Sequence, residues 1–232
     1  MTFDLMLCFR VINENDPASA LADAVAAMRN GQAADNVYAV EPIEFHKIPG
    51  VPFAYWAPTA YRQAFDEFQS FEADGRCAKQ GLATADDFRF VRTTWEVGNG
   101  HTSGKWQPFA KGGEHASFYA DVHLAINWER GGQEISNLYK IGSDRPLSRV
   151  QNTEHYFRPG LTWPRRTTSA LGLRVLPAGC IFADKGPAAF VEGDDPETLL
   201  ALLAVMNSTS FRALVGLQMA AVDAAARSYE VG

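Results

Sequence analysis

Cysteine is scarce: the 232 residues hold three, Cys8, Cys77 and Cys180. An odd number spread so widely excludes a disulfide framework and any zinc-ligand spacing. It suits free thiols in a reducing compartment, so a cytoplasmic location is expected. Long apolar runs are also missing. The richest, Leu199–Met206, falls well short of the ~18 residues that cross a bilayer, so no membrane partner is expected. The first residues, "MTFDLMLCFRV", lack a basic n-region and a small-residue cleavage site. There is no G-x-x-x-x-G-K-[ST] string and no G-x-G-x-x-G, which excludes the P-loop and the dinucleotide fingerprint. His46, His101, His115, His123 and His155 show neither H-x-x-x-H nor H-E-x-x-H spacing, and Ser208 lacks a G-x-S-x-G context. No convergent catalytic set is legible.

What is present describes a folded protein: 47% hydrophobic and 12% aromatic residues. The net charge is −6, but it is unevenly placed. Residues 1–75 carry 4 basic and 11 acidic side chains, and residues 182–232 carry 3 and 7. Between them, residues 76–140 carry 8 and 7, and residues 141–181 carry 6 and 2. A basic middle framed by acidic flanks is compatible with a polyanion partner, and equally with chance unevenness.

The apolar run Phe3–Ile12 reads as a buried strand. Asp16-Pro17, followed by an Ala-rich stretch and Gly31, reads as a capped helix over about 17–30. Val37–Glu41 suggests a short strand, and the three prolines of Ile48–Pro58 an extended segment. Tyr61, Phe65, Phe68 and Phe71 fall at helical spacing, predicting a helix over 59–71 with one apolar face. From Cys77 to about Pro187 short β-like runs dominate: Arg89–Val97, His123–Glu129, Gly160–Ser169, Leu171–Gly179 and Cys180–Gly186. A helix over Gln133–Ile141 interrupts them. After Asp195-Pro196 a helical pair runs to about residue 229, jointed at Asn207-Ser208.

Three stretches invite chemistry. In "KWQPFAKGGEH" (Lys105–His115), Gly112-Gly113 permits positive φ and close backbone approach, beside Lys105 and Lys111. Such a loop holds a phosphate through amides and an ammonium, or it is an ordinary turn with solvated lysines. In "WPRRTTS" (Trp163–Ser169), adjacent arginines on a strand point to opposite faces. Arginine suits bidentate contact with guanine or phosphate; the plain alternative is a solvated edge strand. Asp86-Asp87 suggests a metal only weakly, and capping is the simpler reading.

Taken in order, "IPGVPFAYW", "QGLATADDFRFVRTTWEV", "KWQPFAKGGEHASFYADVHLAINWERGGQEI", "NTEHYFRPGLTWPRRTTSALGLRVLPAGCIFADKGPAAFV" and the stretch from Leu199 onward resemble a known pattern. It is the C-terminal half of adenine-specific DNA methyltransferases of the BREX/phage-growth-limitation and type IIG restriction–modification kind. The resemblance begins near Val40 and is carried by the order "GLxT…F", "W…KGGE", "W…G.EI", "F..G.TW". In that family an N-terminal half binds S-adenosylmethionine and methylates adenine N6 through an Asn-Pro-Pro-Tyr motif, and the C-terminal half recognises the target. Neither "NPPY" nor "DPPY" occurs in this chain.

The resemblance therefore implies a non-catalytic target-recognition region of a phage-defence or restriction–modification enzyme, itself a fragment of a longer polypeptide. Its expected partners are double-stranded DNA and a catalytic half in cis or in trans, with S-adenosylmethionine held by that half. It implies that Lys79, Gln80, Thr84, Lys105, Lys111, Arg165, Arg166 and Thr167 face DNA. The other reading is a protein-interaction module of the same system, working through the acidic flanks and the aromatic helix. The expected fold is α+β: a central, twisted mixed sheet over about 77–190 with flanking helices, of the TaqI-like specificity-domain type. The expected divisions are an α/β segment (1–75), a β-rich recognition core (76–195) and a helical pair (196–232).

Overall fold

The computed structural model describes residues 5–98, 104–142, 144–219 and 227–229. The fold is α+β, as the sequence implies. His101 and the stretch 220–226 expected to extend the last helix lie outside the described residues. The described residues fall into two compact units, one built from 5–70 with 213–219, the other from 71–212 with 227–229.

In the first unit β1 (Met6–Phe9), α1 (Pro17–Arg29), β2 (Val37–Val40) and α2 (Thr59–Glu67) follow one another, with a 3-10 helix at Pro42–Lys47. β1 and β2 pair antiparallel, Met6 opposite Val40 and Phe9 opposite Val37. The expected buried strand is only half buried: Cys8 is covered while Leu5 and Leu7 are exposed. A two-stranded ribbon has one face to pack and leaves the other in water. α1 starts as its sequence dictates, with Asp16 Oδ1 accepting from the Ala18 and Ser19 amides at 3.1 and 3.2 Å and Pro17 in the first turn.

α2 departs from expectation. Its aromatic spacing predicts an inward face, yet Tyr61 and Phe68 are exposed, and the buried residue is Arg62. The Arg62 guanidinium donates to the Ala57 carbonyl and the Thr59 hydroxyl and lies 3.5 Å from Glu44 Oε2. A buried arginine needs such partners, and here the preceding loop supplies them. Of the aromatic row, Phe65 packs on the small core of Ile48, Ala54, Ala57 and Leu217.

The second unit runs β3 (Cys77–Lys79), α3 (Asp87–Phe90), β4 (Val91–Thr93), α4 (Thr94–Val97), β5 (Trp106–Ala110), β6 (Leu124–Asn127), α5 (Glu129–Ser136), β7 (Gly160–Thr162), β8 (Arg166–Thr167), β9 (Arg174–Leu176), β10 (Ile181–Phe182), β11 (Ala188–Phe190) and α6 (Pro196–Met206). α7 (Thr209–Gln218) begins here and passes to the first unit at residue 213, and β12 (Arg227–Ser228) closes the described chain. β12 pairs with β8, so a strand stands where the sequence predicts the end of a helix.

The region expected to form one central sheet holds two four-stranded sheets, β10–β5–β6–β4 and β3–β11–β7–β9. The first is mixed, because β10 runs parallel to β5; the second is antiparallel. Three strands were not legible: β3, β5 and β11. β5 is the sharpest case, lying inside what reads as the loop Lys105–His115. Proline discourages a strand assignment, but Pro108 precedes the two residues, Phe109 and Ala110, that β10 pairs.

The converse occurs at Arg89–Val97, expected as one strand. Asp86 caps α3 by accepting from the Arg89 amide at 3.1 Å. Thr93 and Glu96 form a capping box that starts α4. Only three extended residues remain between two helical turns. The expected helix at Gln133–Ile141 is likewise shortened to α5, whose Arg130, Gly131 and Gly132 are left-handed.

The core of this unit is aromatic. Phe90, Phe109, Phe182 and Phe190 are all but fully buried, with Ile126, Ile135 and Leu176 around them. Burial of each such side chain contributes about 1.5–3 kcal/mol. The Tyr156 ring meets Trp128 and Phe182 edge-on at 5.4 and 5.5 Å between centroids. α6 starts at the expected Asp195 cap, which accepts from the Thr198 amide at 2.8 Å. Asn207, at its C-terminal end, is buried and bonds both the amide and the carbonyl of Leu173. No single helix among the described residues is long and apolar enough to cross a membrane.

Candidate nucleic-acid interface

The turn Asp184–Pro187, between β10 and β11, draws several candidate residues together. Gly112 lies against it. Its φ is +89°, and a Cβ there would come within 2.3 Å of the Lys185 carbonyl oxygen. Only glycine fits both constraints. The Gly-Gly pair is therefore first a packing device that seats the loop after β5 on this turn. On the other side, the Arg165 amide donates to the Lys185 carbonyl at 3.0 Å, and the Thr162 hydroxyl to the Pro187 carbonyl at 2.9 Å.

Lys111 and Arg165 thus flank the turn that carries Lys185, and Arg166, exposed, follows directly in β8. Each basic group that sits deep has an acid beside it. Lys111 Nζ bonds Asp87 Oδ2, and Arg165 Nη1 lies 3.6 Å from Asp184 Oδ2. Burial would raise the Asp87 pKa, but hydrogen bonds from Lys111 and Thr84 outweigh it and hold the carboxyl below its ordinary value. Arg166, by contrast, has no ion pair among the described residues.

The remaining candidates divide. Thr84 is buried at 5% exposure, and its hydroxyl donates to Asp87 Oδ1 at 2.5 Å, so it supports the Lys111–Asp87 pair from beneath. Thr167 Oγ1 accepts from the Ser169 amide at 3.0 Å, inside its own turn. Lys79 ends β3 opposite Ala188 and contributes positive potential at His155. The Gln80 carbonyl accepts from Asn152 Nδ2 at 2.8 Å, and its side-chain amide has no hydrogen bond among the described residues. Lys105 stands apart, at the opposite end of β5 from Lys111, about 20 Å away at strand rise. It pairs with Glu129 at 3.3 Å. The structure therefore brings together Lys111, Arg165 and Thr84, has Arg166 only as the chain neighbour of Arg165, and leaves Lys105 outside the group.

Two residues of this region were not singled out from sequence. Lys185 sits in a turn whose "DKG" reads only as punctuation. Arg174, in "LGLRVL", is the missed signal: an arginine inside an otherwise apolar strand calls for a partner or a purpose. It is 6% exposed and floors a cleft of about 680 Å³ beside the Lys111–Ala116 loop.

No family model matches the chain. Two curated proteins align over most of its length. It is 32% identical over 174 residues, 71% of this chain, to adenine-specific methyltransferase BrxX of Escherichia coli O9:H4 (strain HS). It is 29% identical over 199 residues, 81% of this chain, to adenine-specific methyltransferase PglX of Lacticaseibacillus casei (strain Zhang). The chain is related to a region of BREX adenine-specific methyltransferases. It spans only 13% and 16% of the length of those two relatives.

The residues that carry this methyltransferase resemblance turn out to be mainly structural. A Cβ on Gly81 would lie 2.0 Å from the Phe182 carbonyl oxygen, so "GL" is a close backbone crossing. Trp128 packs over Gly132, Ile135 is fully buried, and Trp163 Nε1 donates to the Tyr229 carbonyl at 3.0 Å. The motifs record how the methyltransferase-related region folds.

Proposed function

We propose that this chain is a non-catalytic DNA target-recognition domain of an adenine-N6 DNA methyltransferase in a phage-defence or restriction–modification system. A catalytic half, in cis or in trans, binds S-adenosylmethionine and performs the transfer, and the assembly works in the cytoplasm. The reading is carried by one observation: a chain related to adenine-specific methyltransferases gathers Lys111, Lys185 and Arg165 at a single turn, with exposed Arg166 next in the chain. Lysines and backbone amides there grip phosphates, and Arg166, exposed and without an ion pair among the described residues, is the residue suited to a base edge. Contact at Lys111 exchanges the Asp87 carboxylate for a phosphate, so isolated binding is weak and strongly salt-dependent.

The test is fluorescence anisotropy with duplex DNA at low and rising salt, with and without the catalytic half. Lys111→Ala is expected to weaken binding about equally across sequences and to lower the salt slope by about 1, whereas Arg166→Ala should relax sequence preference. Absence of binding at every salt concentration, even with the catalytic half supplied, would sink the proposal. A second reading, a protein-interaction module, is favoured by the exposure of Tyr61 and Phe68 at the aromatic helix. It predicts that Tyr61→Ala abolishes association with the catalytic half while Arg166→Ala leaves every activity intact.

A further inference from the structure

The cleft floored by Arg174 differs from the basic cluster in one respect: its arginine is buried and has no acid. Arg174 is 6% exposed, and its one protein acceptor among the described residues is the Glu114 carbonyl, 2.9 Å from Nη1. No carboxylate lies within ion-pairing distance of it among the described residues. Burial lowers the pKa of this guanidinium from its ordinary value, though it stays charged, as arginine does in proteins. A guanidinium this deep, with no carboxylate beside it among the described residues, is costly unless a partner answers its charge. The space beside it is the cleft, which Lys111, His115 and His123 also line; Lys111 Nζ bonds Asp87, and His123 Nδ1 lies 3.3 Å from the Asp121 carbonyl. Glu114 and Asp121 also line it. Of these, Asp121 accepts from the Tyr119 hydroxyl at 2.7 Å, and Glu114 gives Arg174 its carbonyl.

The cleft wall is built to hold its shape. Phe118 has φ of +72°, a conformation that disfavours a bulky residue. It is held there by hydrogen bonds at 2.7 Å to Leu173 and 3.0 Å from Val175, the two neighbours of Arg174. Arg212 fixes the same loop by donating to Ser117 Oγ at 3.0 Å. The result leaves Phe118 55% and Tyr119 65% exposed, between the cleft-lining Ala116 and Ala120. Phe118 and Tyr119 do not line the cleft, but they stand exposed on the loop that supplies its Ala116 and Ala120, an arrangement that suits a ligand with an anion at one end and a flat ring at the other.

We infer that the Arg174 cleft binds a phosphate group carried by a nucleic-acid strand, with the adjoining base resting on Phe118 or Tyr119. Arginine's fork matches two phosphate oxygens, and base–aromatic stacking tolerates any sequence. The inference deepens the DNA-recognition reading and rests on it for the source of the phosphate. The cleft is a second point of grip beside the Lys111–Lys185–Arg165 turn, sharing Lys111 with it.

The test is amide-resolved NMR on the full chain, titrated separately with inorganic phosphate and with a short DNA duplex. Both probes are expected to shift the amides of Gly113 to Ala116, Asp121 to Leu124 and Val175, the duplex saturating at lower concentration. Arg174→Gln should raise the Kd for inorganic phosphate about tenfold or more, with Arg174→Lys between it and the wild type. If Arg174→Gln fails to fold, the wild-type titrations decide alone. A duplex that binds while sparing these amides overturns the inference and leaves the DNA reading standing. Phosphate shifts in the cleft without any duplex binding overturn the strand as the source, and with it the DNA reading. No shift in the cleft with either probe overturns the site altogether.

Discussion

Gly112→Ala tests whether the loop after β5 is held by packing on the β10–β11 turn. Gly112 and Gly113 have nearly equal backbones, φ of +89° and +82°. They differ in surroundings. A Cβ on Gly112 would meet the Lys185 carbonyl oxygen at 2.3 Å, whereas one on Gly113 would meet nothing within 4 Å. Both alanines incur the left-handed cost of about 1–2 kcal/mol. Gly112→Ala adds a backbone clash of about 1–3 kcal/mol. The expected losses are about 3 kcal/mol for Gly112→Ala and about 1.5 for Gly113→Ala. For a unit of this size the melting temperatures should fall by about 10 °C and about 5 °C. Urea unfolding followed by tryptophan fluorescence measures the two costs. Equal losses, or a larger loss at Gly113, would refute the packing argument and return the loop to an unsupported turn.

The Lys111–Asp87 pair predicts a pH dependence. The Asp87 pKa is depressed in the folded state, so its contribution is present above the unfolded value of about 3.9 and fades as pH falls through the folded value. The stability gap between wild type and Asp87→Asn should therefore be constant near neutrality and close below about pH 4; a gap unchanged in acid would exclude the ion pair as its cause. Thiol reactivity follows burial. The Cys180 thiol is pushed up to about 11 and Cys8 is also raised, both by burial, while Cys77 is partly exposed, 3.4 Å from His155 Nε2. Ellman's reagent at pH 8 should modify Cys77 first and Cys180 only on unfolding, and prompt modification of Cys180 would contradict its place in the core.

Much of the local structure was legible because it is written in neighbouring residues. Asp16-Pro17 and Asp195-Pro196 start helices through their own side chains and fixed φ, whatever packs around them. Strands fared worse where pairing, not pattern, makes them. β3, β5 and β11 are short and carry no alternation, and become strands only because β11, β10, β6 and β7 supply ladders from distant parts of the chain. The aromatic row of α2 misled for a related reason. Helical spacing places Tyr61, Phe65 and Phe68 on one face, but Glu44 and Ala57 offer partners to Arg62, and that side turns inward.

The sequence by itself determined the class of the fold, the starts of α1, α2 and α6, the basic middle of the chain and, through ordered motifs, its kinship with the BREX adenine-specific methyltransferases. Those depend on composition and on residues close together in the chain. Only the tertiary structure decided that Lys111 and Arg165 share a turn while Lys105 lies at the far end of β5. It alone showed that Thr84 is buried and bonded to Asp87, and that Arg174 lines a cleft with no counter-ion among the described residues. Charge pairing and burial arise between residues tens of positions apart, so no reading along the chain can assign them.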